Sequence, residues 1–357
     1  FTALGSVITV PAVIVALISY FILALYCHAR LAEARPTASE LTSFYIFMSL
    51  GGVLGGVANA LVAPLIFDRI IEYILVMWLI SLLLLPGMSW LKKLSLKAKI
   101  ASVLAVIGLG VGSVLLALGQ PITLVLVVVM LAAVPAVVEL KVVPGVLLVT
   151  MMAGLVPAFH GAGGETIFRD RSFYSVLRVD NLDTDDGPVH QLLHGDTTHN
   201  FQLRLPEQQR IPLAYYAEGN TFHQVLTARQ AEGGALNVSI IGLGAGAMAC
   251  YKRAEDSFRF FEIDPKVVDM AFDADVFSYM SNCSDRGSVL IGDARLRYAE
   301  LPPASQDVLF VDAFSSDAIP THLVTQEAFA LYVSRMAPGG LIFFHTSNRA
   351  MDISSVV

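Results

Sequence analysis

The chain has 357 residues, 55% of them hydrophobic and only 15% charged, and a mean hydropathy of +0.66 that excludes a wholly soluble protein. Residues 1 to 159 hold eight Lys+Arg and five Asp+Glu, a net of +3; taken from totals of 23 and 30, this leaves 15 basic and 25 acidic groups after residue 159, a net of −10. An acidic second half without a basic cluster argues against nucleic-acid binding. Cys27, Cys250 and Cys283 are odd in number and far apart, so neither a disulfide framework nor a CxxC metal site is expected. The lean is toward a reducing compartment, with inert buried thiols at positions 250 and 283.

Hydrocarbon leaves backbone groups no water, so a spanning segment is a helix of about 20 apolar residues. Six stretches approach that, at 6–27, 43–66, 71–90, 100–118, 121–138 and 142–158. The last two are short enough to be a buried hairpin instead. The first lacks the basic start and cleavage site of a signal peptide. The chain starts at Phe1 rather than Met, so earlier residues are expected to precede it. Gly51-Gly52 and Gly55-Gly56 make a small-residue stripe that suits either ordinary packing or a partner-docking face. Asp68, Arg69 and Glu72 fall at a span end and read as interfacial, and no span carries a charge near its centre, so an ion pathway finds no support. Loops at 28–42, 91–99 and 139–141 hold most of the positive charge and are expected on the cytoplasmic side. With six spans the second half falls outside, and one span more or fewer reverses that, so its side stays open.

After about residue 165 the rhythm changes. Residues 171–179 (RSFYSVLRV), 189–193 and 201–205 read as antiparallel strands, with Asp185-Asp186-Gly187-Pro188 as a turn. Beyond 235 strands alternate with helices: strands at 236–241, 258–263, 289–291, 308–311 and 341–345, helices at 245–254, from 265 and at 326–336. Such alternation predicts a parallel, doubly wound sheet whose ligand sits beyond the carboxyl ends of the strands. Gly242, Gly244 and Gly246 follow the first strand, Glu262 ends the second, Asp293 follows the third and Asp312 ends the fourth. Each has a bland alternative, a tight turn for the glycines and a helix cap for the acids. Together they point to a nucleoside, whose ribose hydroxyls a carboxylate accepts.

These segments resemble the polyamine aminopropyltransferases, the spermidine synthases, within the class I methyltransferase fold, and specifically bacterial forms with a multispan membrane region ahead of the synthase-like domain. The carriers are RSFYSVLRV (171–179), LLHGDTTHNFQ (192–202), PLAYYAEGN (212–220), GLGAGAM (242–248), FFEIDP (260–265), GDARL (292–296) and VDAFSSDAIP (311–320). The organisation implied is a transmembrane helical region over 1–159, a small antiparallel β region over 160–230 and a Rossmann-like nucleoside-binding domain over 231–357. That last domain would continue past residue 357, since the class I fold adds two more strands.

The resemblance implies an integral protein of a bacterial-type inner membrane that transfers an aminopropyl group from decarboxylated S-adenosylmethionine to an amine. Gly242, Gly244, Gly246 and Glu262 would hold the nucleoside with Asp293 near the adenine. Asp312 would accept the amine's proton, with Asp317 as second catalytic acid, and His199 and Tyr216 would line the substrate pocket. The family's compact Asp-x-x-Asp-Pro loop is stretched here between Asp312 and Asp317. Two rival readings keep the fold, a methyltransferase using S-adenosylmethionine itself and a non-enzymatic membrane subunit or assembly protein. The expected partners are the lipid bilayer, a small amine and a membrane-complex partner or second copy. No metal is expected, since His190, His194 and His199 lie on a strand, where i and i+4 are about 13 Å apart.

Overall fold

The computed structural model describes residues 10–72, single positions and pairs or triplets between 75 and 111, and residues 164–195, 197–313 and 320–345. The chain divides into two units, Gly5–Ala162 and one built on Gly163–Val357. The small β region and the α/β region thus share one unit.

In the first unit, helix α1 (Val10–Glu33) is followed by a second helix that runs over Ala38–Ile66, its α-helical part Leu41–Val57 (α2) passing through a π-helical turn at Ala58–Val62. Ala38–Ile66 alone among the described residues is long and apolar enough, by length and composition, to cross a membrane. The expected span at 43–66 falls on the second helix and the described part of the one at 6–27, residues 10–27, on α1; the other four lie largely outside the described residues. A Cβ added at Gly51, Gly52, Gly55 or Gly56 would meet nothing within 4 Å among the described residues. Arg69 closes on the carboxylate of its neighbour Asp68 at 3.0 and 3.1 Å.

The second unit opens with a four-stranded antiparallel meander, β1 (Glu165–Arg171), β2 (Val176–Thr184), β3 (Gly187–His194) and β4 (Thr197–Leu203), in that spatial order. RSFYSVLRV is therefore not one strand. Ser172 breaks it, its N–H donating to the Ser175 carbonyl at 2.9 Å and its hydroxyl oxygen accepting from the Tyr174 N–H at 3.1 Å. A hydroxyl that satisfies the turn's own backbone competes with ladder pairing, which makes this a hairpin corner.

A five-stranded parallel sheet follows, made of β5 (Asn237–Ile241), β6 (Ser257–Glu262), β7 (Val289–Ile291), β8 (Gln306–Val311) and β9 (Met336–Phe344) in the order β7-β6-β5-β8-β9. By chain order this is 3-2-1-4-5, the doubly wound arrangement, with the switch point between β5 and β8. Side chains alternate between the two faces. Val238, Ile240, Phe260, Val308 and Phe310 enter one core with helices α4 (Pro265–Ala271) and α5 (Tyr279–Cys283). Ile241, Phe261, Leu309 and Val311 enter the other with Tyr298 of α6 (Ala294–Ala299) and Tyr332 of α7 (Gln326–Arg335). Burial on both faces explains why these strands read as nearly unbroken apolar runs. Helix α3 (Thr221–Ala231) precedes β5. Strand β9 starts five residues earlier than expected, and its register skips from Met336 opposite Gln306 to Leu341 opposite Val308, so Pro338-Gly339-Gly340 bulges from the ladder rather than preceding the strand.

Two further expectations are corrected. The helix expected over 245–254 is a single 3-10 turn, Ala247–Tyr251. Arg253 then folds back on Asp256 with its Nε at 3.0 Å and Nη2 at 2.8 Å, and a chain leading directly into β6 has no length for more helix. Cys250 and Cys283 are joined in a disulfide with Cα atoms 4.9 Å apart. They are separated by 33 residues in sequence, and packing of the 3-10 turn on α5 brings them within bonding reach. They are not inert thiols.

Candidate functional site

Beyond the carboxyl ends of β5, β6 and β8 lies a cavity of about 260 Å³, near the lower end of the range for small-molecule sites. Its floor is the glycine loop and the strand ends: Ile241, Gly242, Leu243, Gly244, Glu262, Asp264, Asp293 and Asp312. The meander and the following loop supply the opposite wall, with Tyr174, Leu177, Leu192, His194, His199, Asn200, Tyr215 and Tyr216. His322 and Leu323 close one side.

The three glycines do different work. Gly242 has φ +100°, and a Cβ there would collide with the carbonyl oxygen of Asp312, so the position is dictated by backbone against backbone at the switch point. Gly244 has φ +55° with nothing within 4 Å of an added Cβ, and it lines the cavity. Gly246 has φ +82° and packs on the Met280 side chain of α5; it is not among the cavity's lining residues.

Glu262 is buried, and each of its oxygens accepts a backbone N–H, Oε2 from Leu243 at 3.0 Å and Oε1 from Asp264 at 2.9 Å. Burial pushes its carboxyl above the usual carboxylate range, opposed by those N–H donors. The side chain thus braces the glycine loop, and a carboxylate's capacity of about four acceptor sites leaves room for a ligand hydroxyl. Asp264 caps α4 through the Lys266 N–H at 3.0 Å and takes a hydrogen bond from the Ser172 hydroxyl. Asp293 caps α6, accepting from the Leu296 N–H at 3.1 Å, while its other oxygen faces His322 Nε2 at 3.1 Å. The helix-cap alternative is therefore the observed local role of Asp293, which also lines the cavity.

Asp312 caps nothing. Its side chain is 4% exposed and accepts from the Tyr216 hydroxyl at Oδ2 and from His345 at Oδ1, the latter at 2.6 Å. Tyr215 packs between them with tilted rings, its ring centroid 4.3 Å from that of Tyr216 and 4.2 Å from that of His345. Burial, then the charge of Asp312, drives the phenols of both tyrosines up, so both are neutral, and the Tyr216 hydroxyl is the one that donates to Asp312.

On the meander wall the rings of His194 and His199 meet edge to face at 5.4 Å. Burial lowers the pKa of His194, opposed by the charge of Asp264. His190, one of the three histidines considered for a metal, is turned into the core, its Nδ1 bonded to the Val276 carbonyl at 2.7 Å. No three His, Cys, Asp or Glu side chains converge as a metal would require among the described residues. Asp317 lies outside the described residues.

The structure therefore brings Gly242, Gly244, Glu262, Asp293, Asp312, His199 and Tyr216 to one cavity and leaves Gly246 behind it. Sequence reasoning missed Asp264, His322, His345 and Tyr215. The strand-end rule that picked Asp312 would have picked His345 too, since both follow the last paired residues of their strands.

No family model matches the chain, and no curated protein matches it. Similar solved structures include a probable spermidine synthase from Corynebacterium glutamicum, 21% identical with a TM-score of 0.39, covering 50% of this chain and 62% of that one. Others are the spermidine synthase of Thermotoga maritima (17% identical, TM-score 0.33) and a spermidine synthase in complex with the transition-state analogue AdoDATO (16%, 0.32), each over 50% of this chain and 55% of the other. The chain thus spans less than two thirds of each of these proteins.

Proposed function

We propose that the cavity binds the nucleoside of an S-adenosylmethionine-type donor, and that the chain is a membrane-anchored, spermidine synthase-like transferase moving an aminopropyl group from decarboxylated S-adenosylmethionine to an amine. The observation that carries the reading is the convergence of Glu262 and Asp312, from two different strand ends, on one cavity floored by the glycine loop. Gly244 leaves room there for a close ligand approach, and Glu262 has acceptor capacity left for ribose hydroxyls.

In this reaction the amine's lone pair forms a C–N bond to the carbon beside the sulfonium. The C–S bond breaks, its electron pair leaves on sulfur, and the neutral thioether methylthioadenosine departs. An amine of pKa near 10 is mostly protonated at neutral pH and must shed a proton to attack. A carboxylate at that carbon supplies the acceptor, worth about 10² to 10⁴ in rate, and Asp312 is the buried carboxylate assigned to it. Membrane anchoring is supported by the exposed apolar surface of Ala38–Ile66.

The test is release of methylthioadenosine from decarboxylated S-adenosylmethionine by the full chain in detergent, across a panel of mono-, di- and polyamines, with S-adenosylmethionine as the competing donor. Amine-dependent release that Asp312→Asn abolishes is expected; methyl transfer instead would replace the reading.

A second reading, a docking subunit without turnover, is favoured by one observation. The disulfide Cys250–Cys283 suits an oxidising compartment, away from the cytosolic supply of adenosyl donors. Intact turnover in the wild-type chain would remove it.

A further inference from the structure

We propose that His345 is the positioning residue for Asp312, its Nδ1–H fixing the carboxylate's orientation beside the cavity. This deepens the reading above and rests on its assignment of Asp312 as the amine's base. The register of the two strands sets up the couple. Val311 lies opposite Phe344, so Asp312 and His345 are each one residue past the paired ends. Backbone bonds lock both, the Asp312 N–H on the Ile241 carbonyl at 2.8 Å and the His345 N–H on the Val311 carbonyl at 2.9 Å.

Chemistry assigns the direction. An ionised carboxylate only accepts, so the imidazole nitrogen 2.6 Å from Oδ1 carries the proton, which fixes the tautomer. The carboxylate side chain is 4% exposed, and a buried charge persists only where donors replace water. Two donors do so, the Tyr216 hydroxyl at Oδ2 and His345 at Oδ1. The Tyr215 ring packs against the imidazole, tilted by 42° with centroids 4.2 Å apart, and limits its movement. Tyr215 and Tyr216, from the turn Ala214–Tyr216, are the other titratable groups facing the couple among the described residues, and burial keeps both neutral. The arrangement leaves Asp312 an oriented acceptor with one lone pair per oxygen for an incoming amine proton.

The test is an infrared pH titration of the full chain in detergent with 13C-labelled aspartate, the Asp312 acid band being the one that Asp312→Asn deletes. Removing the donor with His345→Leu is expected to move that band's midpoint up by about one to two pH units, the worth of a hydrogen bond to a charged group. His345→Asn keeps an N–H near the Nδ1 position and is expected to leave the midpoint where it was. An unmoved midpoint in His345→Leu overturns the inference, as does a His345→Asn midpoint that moves as far. Should the leucine variant fail to fold, His345→Gln, whose amide reaches only toward Nε2, carries the same two outcomes. Methylthioadenosine binding separates the failures. A shifted midpoint without nucleoside binding keeps the couple and removes the proposed function, whereas binding with an unmoved midpoint removes the couple alone.

Discussion

Gly242 packs so closely on the carbonyl oxygen of Asp312 that a side chain at residue 242 has no space, and this contact joins the ends of β5 and β8 under the cavity. The glycine loop and the proposed base are therefore one rigid piece. Gly242→Ala forces backbone apart at φ +100° and is expected to cost about 2 to 4 kcal/mol. Gly244→Ala meets open space and is expected to cost only about 1 kcal/mol of stability for its left-handed backbone. It adds a methyl to the cavity floor, so its loss is in nucleoside affinity. Thermal unfolding and methylthioadenosine titration of the two variants check the contrast.

Glu262→Gln replaces an acceptor of two backbone N–H groups by an amide whose nitrogen cannot accept either. Nucleoside affinity is expected to fall about tenfold to a hundredfold, the worth of hydrogen bonds to a charged acceptor. Because burial raises the Glu262 pKa, acidification protonates it at a higher pH than an ordinary glutamate. Wild-type affinity is therefore lost on the acid side above the usual carboxylate range. Calorimetry across a series of falling pH reads this directly.

The disulfide reaches the site indirectly. Cys283 ends the helix whose Met280 packs on Gly246, and Cys250 lies in the turn that follows that glycine. Cys250→Ser with Cys283→Ser is expected to cost about 3 to 4 kcal/mol by the loop-entropy estimate for a separation of 33. Faster amide hydrogen exchange over 242–251 is the accompanying local sign. Alkylation of the unreduced chain, read by peptide mass spectrometry, is expected to spare both cysteines.

Asp256 ties the starts of β5 and β6. Burial alone would raise its carboxyl. Bonds from the Arg253 side chain, the Leu236 N–H, Gln230 and the Arg253 N–H outweigh that and hold it at about 2. A depressed carboxylate stabilises the fold above its unfolded pKa, and that stabilisation is lost as pH falls from about 4 through about 2. Asp256→Asn is expected to lose on the order of 2 kcal/mol at neutral pH and to flatten the acid limb of the thermal midpoint. An unchanged limb contradicts this.

Strand ends were the most legible part of the sequence. Fully buried parallel strands are written as uninterrupted apolar runs, and the polar residue that stops each run is the one at the crevice, as with Glu262 and Asp312. What depends on contacts between distant segments was not legible. Cys250 and Cys283 meet only because a 3-10 turn packs on α5. Ser172 breaks a run of good strand formers by bonding its own turn. His345 carries no motif, and its role follows from the register of β9 on β8, which the Pro338-Gly339-Gly340 bulge resets. Gly246 fits the loop pattern as well as Gly244 does, and only the placement of Met280 separates them.

The most direct test of the account is calorimetric titration of the folded full chain with methylthioadenosine, decarboxylated S-adenosylmethionine and S-adenosylmethionine. Saturable one-site binding of methylthioadenosine, with the decarboxylated donor bound more tightly than S-adenosylmethionine, is the predicted result. A folded chain that releases no heat with any of the three, and whose Leu243 and Asp264 amides gain no exchange protection, would contradict the nucleoside site.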